Sequence, residues 1–130
     1  SPLRQSAYID EAVAMLDDGA DAVISVTRAQ KPSQWQFALE NDSNDLSSTL
    51  NSSVSNKQSQ EYAPEYCFNG AIYIAKTSRL LDEQTFILSS RCKAYEMPIE
   101  ASTDIDTHLD LLIAKALYLG VKNASKKLDQ

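Results

Sequence analysis

From Ser6 to Asp18 apolar residues recur at three- and four-residue spacing, so that Ile9, Ala12, Val13 and Leu16 share one face. That period predicts an amphipathic helix, entered near Pro2 and Ser6 and stopped at Gly19. Ala22-Val23-Ile24-Ser25-Val26-Thr27 follows after a short Gly-Ala-Asp link. It is β-branched and almost continuously apolar, the pattern of a strand buried on both faces. A helix joined so closely to such a strand is half of a βαβ unit, and the strand that would precede the helix is not in this chain.

Trp35 to Leu39 alternates large apolar and small or polar residues, which predicts a half-exposed strand. From Glu40 to Gln60 the residues are mostly Asn, Ser, Asp and Gln, with Leu46, Leu50 and Val54 to bury, which predicts a long, mobile polar loop. Phe68 to Ala75 (FNGAIYIA) reads as a strand entered through an Asn69-Gly70 turn, followed by a short helix over Lys76 to Asp82. Thr85 to Leu88 is a short apolar run, and Cys92 to Met97 is a further strand candidate closed by Pro98. The last helix is predicted from about Thr107 to Leu119, with Leu109, Leu112, Ile113, Ala116 and Leu117 as its apolar stripe and Gly120 as its stop. The tail beyond is polar and expected to fray.

The length, 130 residues, is that of one domain. A formal net charge of -6 argues against nucleic-acid or anionic-membrane binding, because phosphates want a basic face. No run approaches the roughly 18 apolar residues of a membrane span, and no signal-peptide pattern is visible. Cys67 and Cys92 have neither CxxC nor Cys/His metal spacing and are expected to be reduced thiols in a cytoplasmic protein. The opening Ser1-Pro2-Leu3-Arg4, with no initiator Met, reads as the start of an excised piece.

Two constellations can carry chemistry. Asp104-Ile105-Asp106-Thr107 lies in an extended lead-in to the last helix, where residues two apart face the same way, so Asp104 and Asp106 would present two carboxylates together. Paired hard oxygen ligands suit Mg²⁺, which fills its shell with water and substrate phosphates. The same residues also suit plain helix entry, with Asp106 as the N-cap and Asp104 adding charge favourable to the dipole. In Asn69-Gly70-Ala71-Ile72-Tyr73, Gly70 permits close backbone approach, Asn69 can both donate and accept, and Tyr73 offers a hydroxyl two residues beyond Ala71. A turn followed by a core strand explains that run equally. His108 and Trp35 read as a surface and a packing residue, and no GxGxxG or GxxxxGK[ST] loop is present.

The order SPLR, AVISV, Lys31-Pro32, Tyr66-x-x-NGAIYI, Tyr95-x-Met97-Pro98 and Ser102-x-DIDT-x-x-Asp110 resembles that of the acylneuraminate cytidylyltransferases, the CMP-sialic acid synthetases and their legionaminic-acid relatives. The resemblance covers nearly the whole chain apart from the polar loop. It implies an α/β fold: a Rossmann-like nucleotidyltransferase sheet, incomplete here, with an inserted dimerisation segment. It implies transfer of CMP from CTP to a nonulosonic (nine-carbon 2-keto) sugar acid with release of pyrophosphate, in a Mg²⁺-dependent cytoplasmic homodimer. By position, Asp104 and Asp106 would hold Mg²⁺, and Asn69, Gly70 and Tyr73 would lie at the sugar acid. Ile87 and Leu88 would stand where the family places apolar residues contributed across the dimer.

The departures are chemical. The family's Gly-rich basic phosphate loop has no counterpart in this sequence, so the chain as given is expected to be inactive by itself. Of three cations the family places near the substrate, one falls in Ser59 to Pro64, where the nearest cation is Lys57, and two fall on Cys67 and Gln34, which predicts weaker hold on an anionic substrate, since charge-assisted contacts to carboxylates are the strong ones. A different sugar acid, an eight-carbon one included, is one consequence. A non-catalytic dimerisation or binding module derived from the family is the other.

Overall fold

The computed structural model describes residues 1–38, 47 and 63–128, so the predicted polar loop from Glu40 to Gln60 lies outside them except for Ser47. The elements, in chain order, are α1 (Ser6–Asp17), β1 (Ala22–Arg28), β2 (Tyr66–Ala75), α2 (Thr77–Glu83), β3 (Cys92–Glu96) and α3 (His108–Leu128). Single 3₁₀ turns occur at Ser33–Trp35 and Ile99–Ala101. The chain divides into two compact units, Ser1–Thr27 with Cys67–Gln130, and Arg28–Tyr66.

In the larger unit the strands form one mixed sheet in the order β2-β1-β3. β1 and β3 run parallel, with Ala22 opposite Cys92 and Val26 opposite Glu96, and Met97 N–H extends the ladder to the Val26 carbonyl at 2.8 Å. β2 runs the other way along β1: Lys76 N–H donates to the Asp21 carbonyl, whereas the Cys67 thiol, nine residues earlier, meets the Thr27 carbonyl. An α/β fold with a partly parallel sheet is what the Ser6–Thr27 pattern predicts. As the central strand, β1 is buried from Ala22 through Val26.

α1 ends as expected. Gly19 takes φ 85°, and Ala20 N–H reaches the Met15 carbonyl at 3.2 Å, the six-to-one closure of a Schellman end. The core gathers Ala12 of α1, Val23 of β1, Ala71 and Ile72 of β2, and Met97 and Ala101 beyond β3. Tyr8, Met15, Leu16, Ile74 and Tyr95 pack around it. A fully buried side chain such as Val23 contributes about 1.5–3 kcal/mol.

Four local expectations are corrected. Trp35 to Phe37 is not strand: a 3₁₀ turn forms after Pro32, because the Glu65 carboxylate collects Ser33 N–H at 2.6 Å and Ser33 Oγ at 2.8 Å and holds the turn closed. Leu39 lies outside the described residues. Asn69-Gly70 is not an entry turn but sits inside β2, with Gly70 at φ 67°, the left-handed residue of a glycine bulge. Gly120 does not stop α3, which runs on to Leu128, including the tail expected to fray. Interior glycine costs a helix only about 1 kcal/mol, which good helix formers on both sides offset. Finally, the inward face of α3 is Leu111, Ala114 and Leu117, while Leu109, Leu112 and Ile113 point outward at 64%, 49% and 45% exposure. This helix is apolar almost all round, so spacing alone did not choose its buried side.

At the N-terminal edge of the parallel strands, Asp21 is 1% exposed and surrounded by cations. Arg91 binds it through Nε at 2.8 Å and Nη2 at 2.6 Å, Lys76 Nζ lies at 3.1 Å, and Arg79 Nε at 3.6 Å. Burial pushes this carboxyl up, but the hydrogen bonds and charges of Arg91 and Lys76 outweigh it and hold Asp21 below the usual carboxylate range. In a parallel α/β sheet this is the edge away from the usual ligand crevice. The node reads as a tie between β1, α2 and the entrance to β3. Among the described residues no helix is long and apolar enough to cross a membrane, and Cys67 and Cys92 are both free thiols.

Candidate functional site

The two motifs singled out in the sequence meet near the C-terminal ends of β1 and β3, where open α/β sheets bind ligands. β3 ends at Glu96, and Met97, 1% exposed, leads into the Ile99–Ala101 turn and then Asp104. The bulge in β2 presents Gly70 to the same place. A β-carbon added to Gly70 would lie 3.6 Å from Asp104 Oδ2. The missing side chain is therefore the space over which the Asp104 carboxylate rests.

A bulge interrupts the ladder and leaves backbone N–H groups to be satisfied otherwise. Two side chains do so. Asn69 Oδ1 accepts Ala71 N–H at 3.2 Å, and Ser25 Oγ, reaching across from β1, accepts Ile72 N–H at 2.8 Å. Ser25 in turn donates to Asn69 Oδ1 at 2.5 Å. Asn69 Nδ2 donates to Ser102 Oγ at 2.9 Å and approaches Met97 Sδ at 3.5 Å, and Ser102 Oγ donates to the Pro98 carbonyl at 2.7 Å. Asn69 is 8% exposed and its amide is committed to these partners. Arg4 adds a cation: its Nη1 donates to the Ala71 carbonyl, leaving further guanidinium N–H groups beside the bulge.

Of the two readings open for the Asp104–Asp106 pair on the sequence, the structure decides the one that makes Asp106 the N-cap. The cap of α3 is the reciprocal pair Thr107 and Asp110. Asp110 N–H donates to Thr107 Oγ1 at 3.2 Å, while the Asp110 carboxylate accepts Thr107 N–H at 2.8 Å, Thr107 Oγ1–H at 2.7 Å and Asp106 N–H at 3.3 Å. This is a capping box with Asp as its acidic member. Those bonds from Thr107 and Asp106 hold the Asp110 carboxyl below its ordinary range. Asp106 is thus not the N-cap, and its carboxylate stays exposed. Asp104, with 61% of its side chain exposed, accepts the N–H of Ile105 at 3.1 Å, and the Ser1 amino nitrogen lies 3.9 Å from its Oδ1.

Asp104 and Asp106 are two exposed carboxylates, hard oxygen donors of the type Mg²⁺ takes alongside water and phosphate oxygens. No group of three or more His, Cys, Asp or Glu side chains positioned for a metal occurs among the described residues, so an all-protein cage is not what the site offers.

The remaining predicted residues fall elsewhere. Tyr73 is 41% exposed and meets Phe86 edge-on, ring centroids 6.2 Å apart. Ile87 is 57% exposed, whereas Leu88 is 5% exposed and turns inward. Cys67 Sγ contacts the Thr27 carbonyl at 3.7 Å. In the smaller unit, Gln34 Nε2 lies 3.4 Å from Glu65 Oε1. Lys57 lies outside the described residues. Ser25, Ser102 and Arg4 were not singled out in the sequence. For Ser25 the available signal was a hydroxyl interrupting Val23-Ile24-x-Val26.

No family model matches the chain. Individual proteins do. An N-acylneuraminate cytidylyltransferase of Escherichia coli O18:K1:H7 is 36% identical over 132 residues, spanning 99% of this chain and 30% of that protein. This chain is thus similar in sequence to N-acylneuraminate cytidylyltransferases. The cytidylyltransferase of Streptococcus agalactiae serotype V is 31% identical over 86% of this chain, and N-acylneuraminate cytidylyltransferase A of Danio rerio is 30% identical over 92% of it. In each case the chain spans under a third of the relative's length, 30% or 27%. With 99% of the chain aligned to the Escherichia coli protein, the bulge in β2 and the lead-in to α3 lie within the similar stretch.

Proposed function

We propose that the protein carrying this chain transfers CMP from CTP to a nonulosonic sugar acid, working as a Mg²⁺-dependent cytoplasmic homodimer. The observation that carries the reading is the contact of the two motifs, with the Asp104 carboxylate lying over Gly70 while Thr107 and Asp110 take over the capping of α3. That division of labour leaves Asp104 and Asp106 available to hold Mg²⁺. When bound, the ion would neutralise the triphosphate as charge moves onto the leaving pyrophosphate.

The chain's own residues do the rest. The Gly70 bulge admits a ligand close to the backbone, and Asn69 keeps that bulge in one shape from within. Tyr73 offers an accessible hydroxyl for the sugar acid, and Arg4 offers N–H donors for an anionic group. The exposed ledge of Tyr73, Phe86 and Ile87 is suited to cover by a second copy.

A second reading, a binding module without catalysis, draws on Gln34 and Cys67. Both stand where the resemblance places cations, and both are exposed and bonded to neighbours, Gln34 to Glu65 and Cys67 to the Thr27 carbonyl. Calorimetric titration of the natural full-length protein with CTP and Mg²⁺ separates the two. The first reading expects Mg²⁺-dependent binding that weakens by at least about tenfold in Asp104→Ala, since loss of an outer-shell partner alone costs that much at metal sites. Absence of binding by folded wild-type protein selects the module.

A further inference from the structure

Ser25 stands at the centre of β1 with 0% exposure, the one hydroxyl in a run of apolar side chains from Ala22 to Val26. A buried hydroxyl is costly unless fully bonded, and a bonded network fixes geometry in a way an apolar contact does not. Ser25 is fully bonded, to Asn69 Oδ1 at 2.5 Å and to Ile72 N–H at 2.8 Å. From Asn69 the chain of bonds continues through Nδ2 to Ser102 Oγ, 2.9 Å away, and on to the Pro98 carbonyl. Ser102 is two residues before Asp104, and Asn69 is the residue before Gly70. One relay therefore holds both backbones that bring the carboxylate and the bulge together.

We propose that Ser25 is a positioning residue for the Asp104 carboxylate, acting through Asn69 and Ser102 on the segment that carries it. The inference rests on the metal-site reading above and deepens it. Without the Ser25 hydroxyl, Ile72 N–H loses its acceptor and Asn69 Oδ1 keeps only Ala71 N–H. The amide is then free to turn, and its hold on Ser102 is released. Asn69 thereby acts on the site through the backbone, with both ends of its amide already engaged.

The test uses the natural full-length protein, with Mn²⁺ in the presence of CTP as the probe and bound Mn²⁺ read by electron paramagnetic resonance. Ser25→Ala and Ser102→Ala are each expected to weaken Mn²⁺ binding about tenfold, as loss of a second-layer partner does at metal sites. Their double variant is expected to lose little more than either, because both act on one relay. Val23→Ala, a core change in the same strand, supplies a comparison that lowers Tm without touching the relay and should leave the affinity unchanged. Wild-type affinity in folded Ser25→Ala and Ser102→Ala, with binding lost in Asp104→Ala, overturns the positioning role and leaves the site reading standing. Equal weakening by Val23→Ala overturns it too, by making the effect one of general stability. Unchanged binding in Asp104→Ala overturns the site reading and the inference together. If Ser25→Ala does not fold, the half-buried Ser102 decides the matter through its own variant.

Discussion

The Asp104 carboxylate rests against the backbone of Gly70, close enough that a β-carbon there would be 3.6 Å from Oδ2. That distance is ordinary packing contact, so the need for glycine comes from its φ of 67°. An L-residue in the left-handed region costs about 1–2 kcal/mol. Gly70→Ala is therefore expected to lower unfolding free energy by about that amount in urea titration. Gly70→Val adds bulk where the carboxylate lies and is expected to weaken Mg²⁺-dependent CTP binding as well, beyond its larger loss of stability.

Capping and candidate metal binding fall on different residues, which makes them separable by mutation. Thr107→Ala removes one member of the capping box and should cost about 1 kcal/mol. Asp106→Asn removes an exposed charge outside the cap, and its effect on stability should stay within about 0.5 kcal/mol. Thermal unfolding of the two variants checks this, and a large loss in Asp106→Asn would return that residue to the role of N-cap.

Asp110 carries a pH signature of its own. Its folded pKa lies below the unfolded value, so its contribution is present above the unfolded pKa and is lost as pH falls through the folded one. The wild type should therefore lose stability relative to Asp110→Asn as pH drops below about 4, the ordinary Asp range. Parallel acid titrations of Tm for the two proteins measure the difference.

Asp21 and Asp18 are both ion-paired, but Asp21 is 1% exposed and Asp18 is 87% exposed in its pair with Lys93. Removing one partner of a buried pair strands the other charges, whereas a surface pair contributes little. Asp21→Asn is expected to lower Tm far more than Asp18→Asn. Equal shifts would show that the cations around Asp21 find water or other partners at little cost.

Gly120 lies inside α3 with nothing within 4 Å of where its β-carbon would be. Gly120→Ala should stabilise the protein by about 0.4–1 kcal/mol, partly by restricting the unfolded chain. Urea unfolding gives the value directly, and destabilisation would mean that the helix does not persist through this position in solution.

Much of this architecture was determined by the sequence itself, wherever one local cause dominated. The Ser6–Asp18 period and Gly19 specify α1 and its left-handed end, and the almost continuously apolar run after Asp21 specifies a strand buried on both faces. The resemblance that carries the NGAIYI and DIDT motifs was also legible, because residue order survives without coordinates. Tertiary structure alone decided the rest. The inward face of α3 was undecidable from a helix apolar nearly all round, and contact with the core selected Leu111, Ala114 and Leu117. The Trp35–Phe37 alternation yielded to a turn because Glu65, 30 residues beyond Trp35, supplies the carboxylate that closes it. The meeting of Gly70 with Asp104, and the reach of Ser25 to Asn69 across 44 positions, come from strand pairing. Such pairing is set by cooperative burial of β1 between its neighbours, a property of the packed chain that no window of sequence contains.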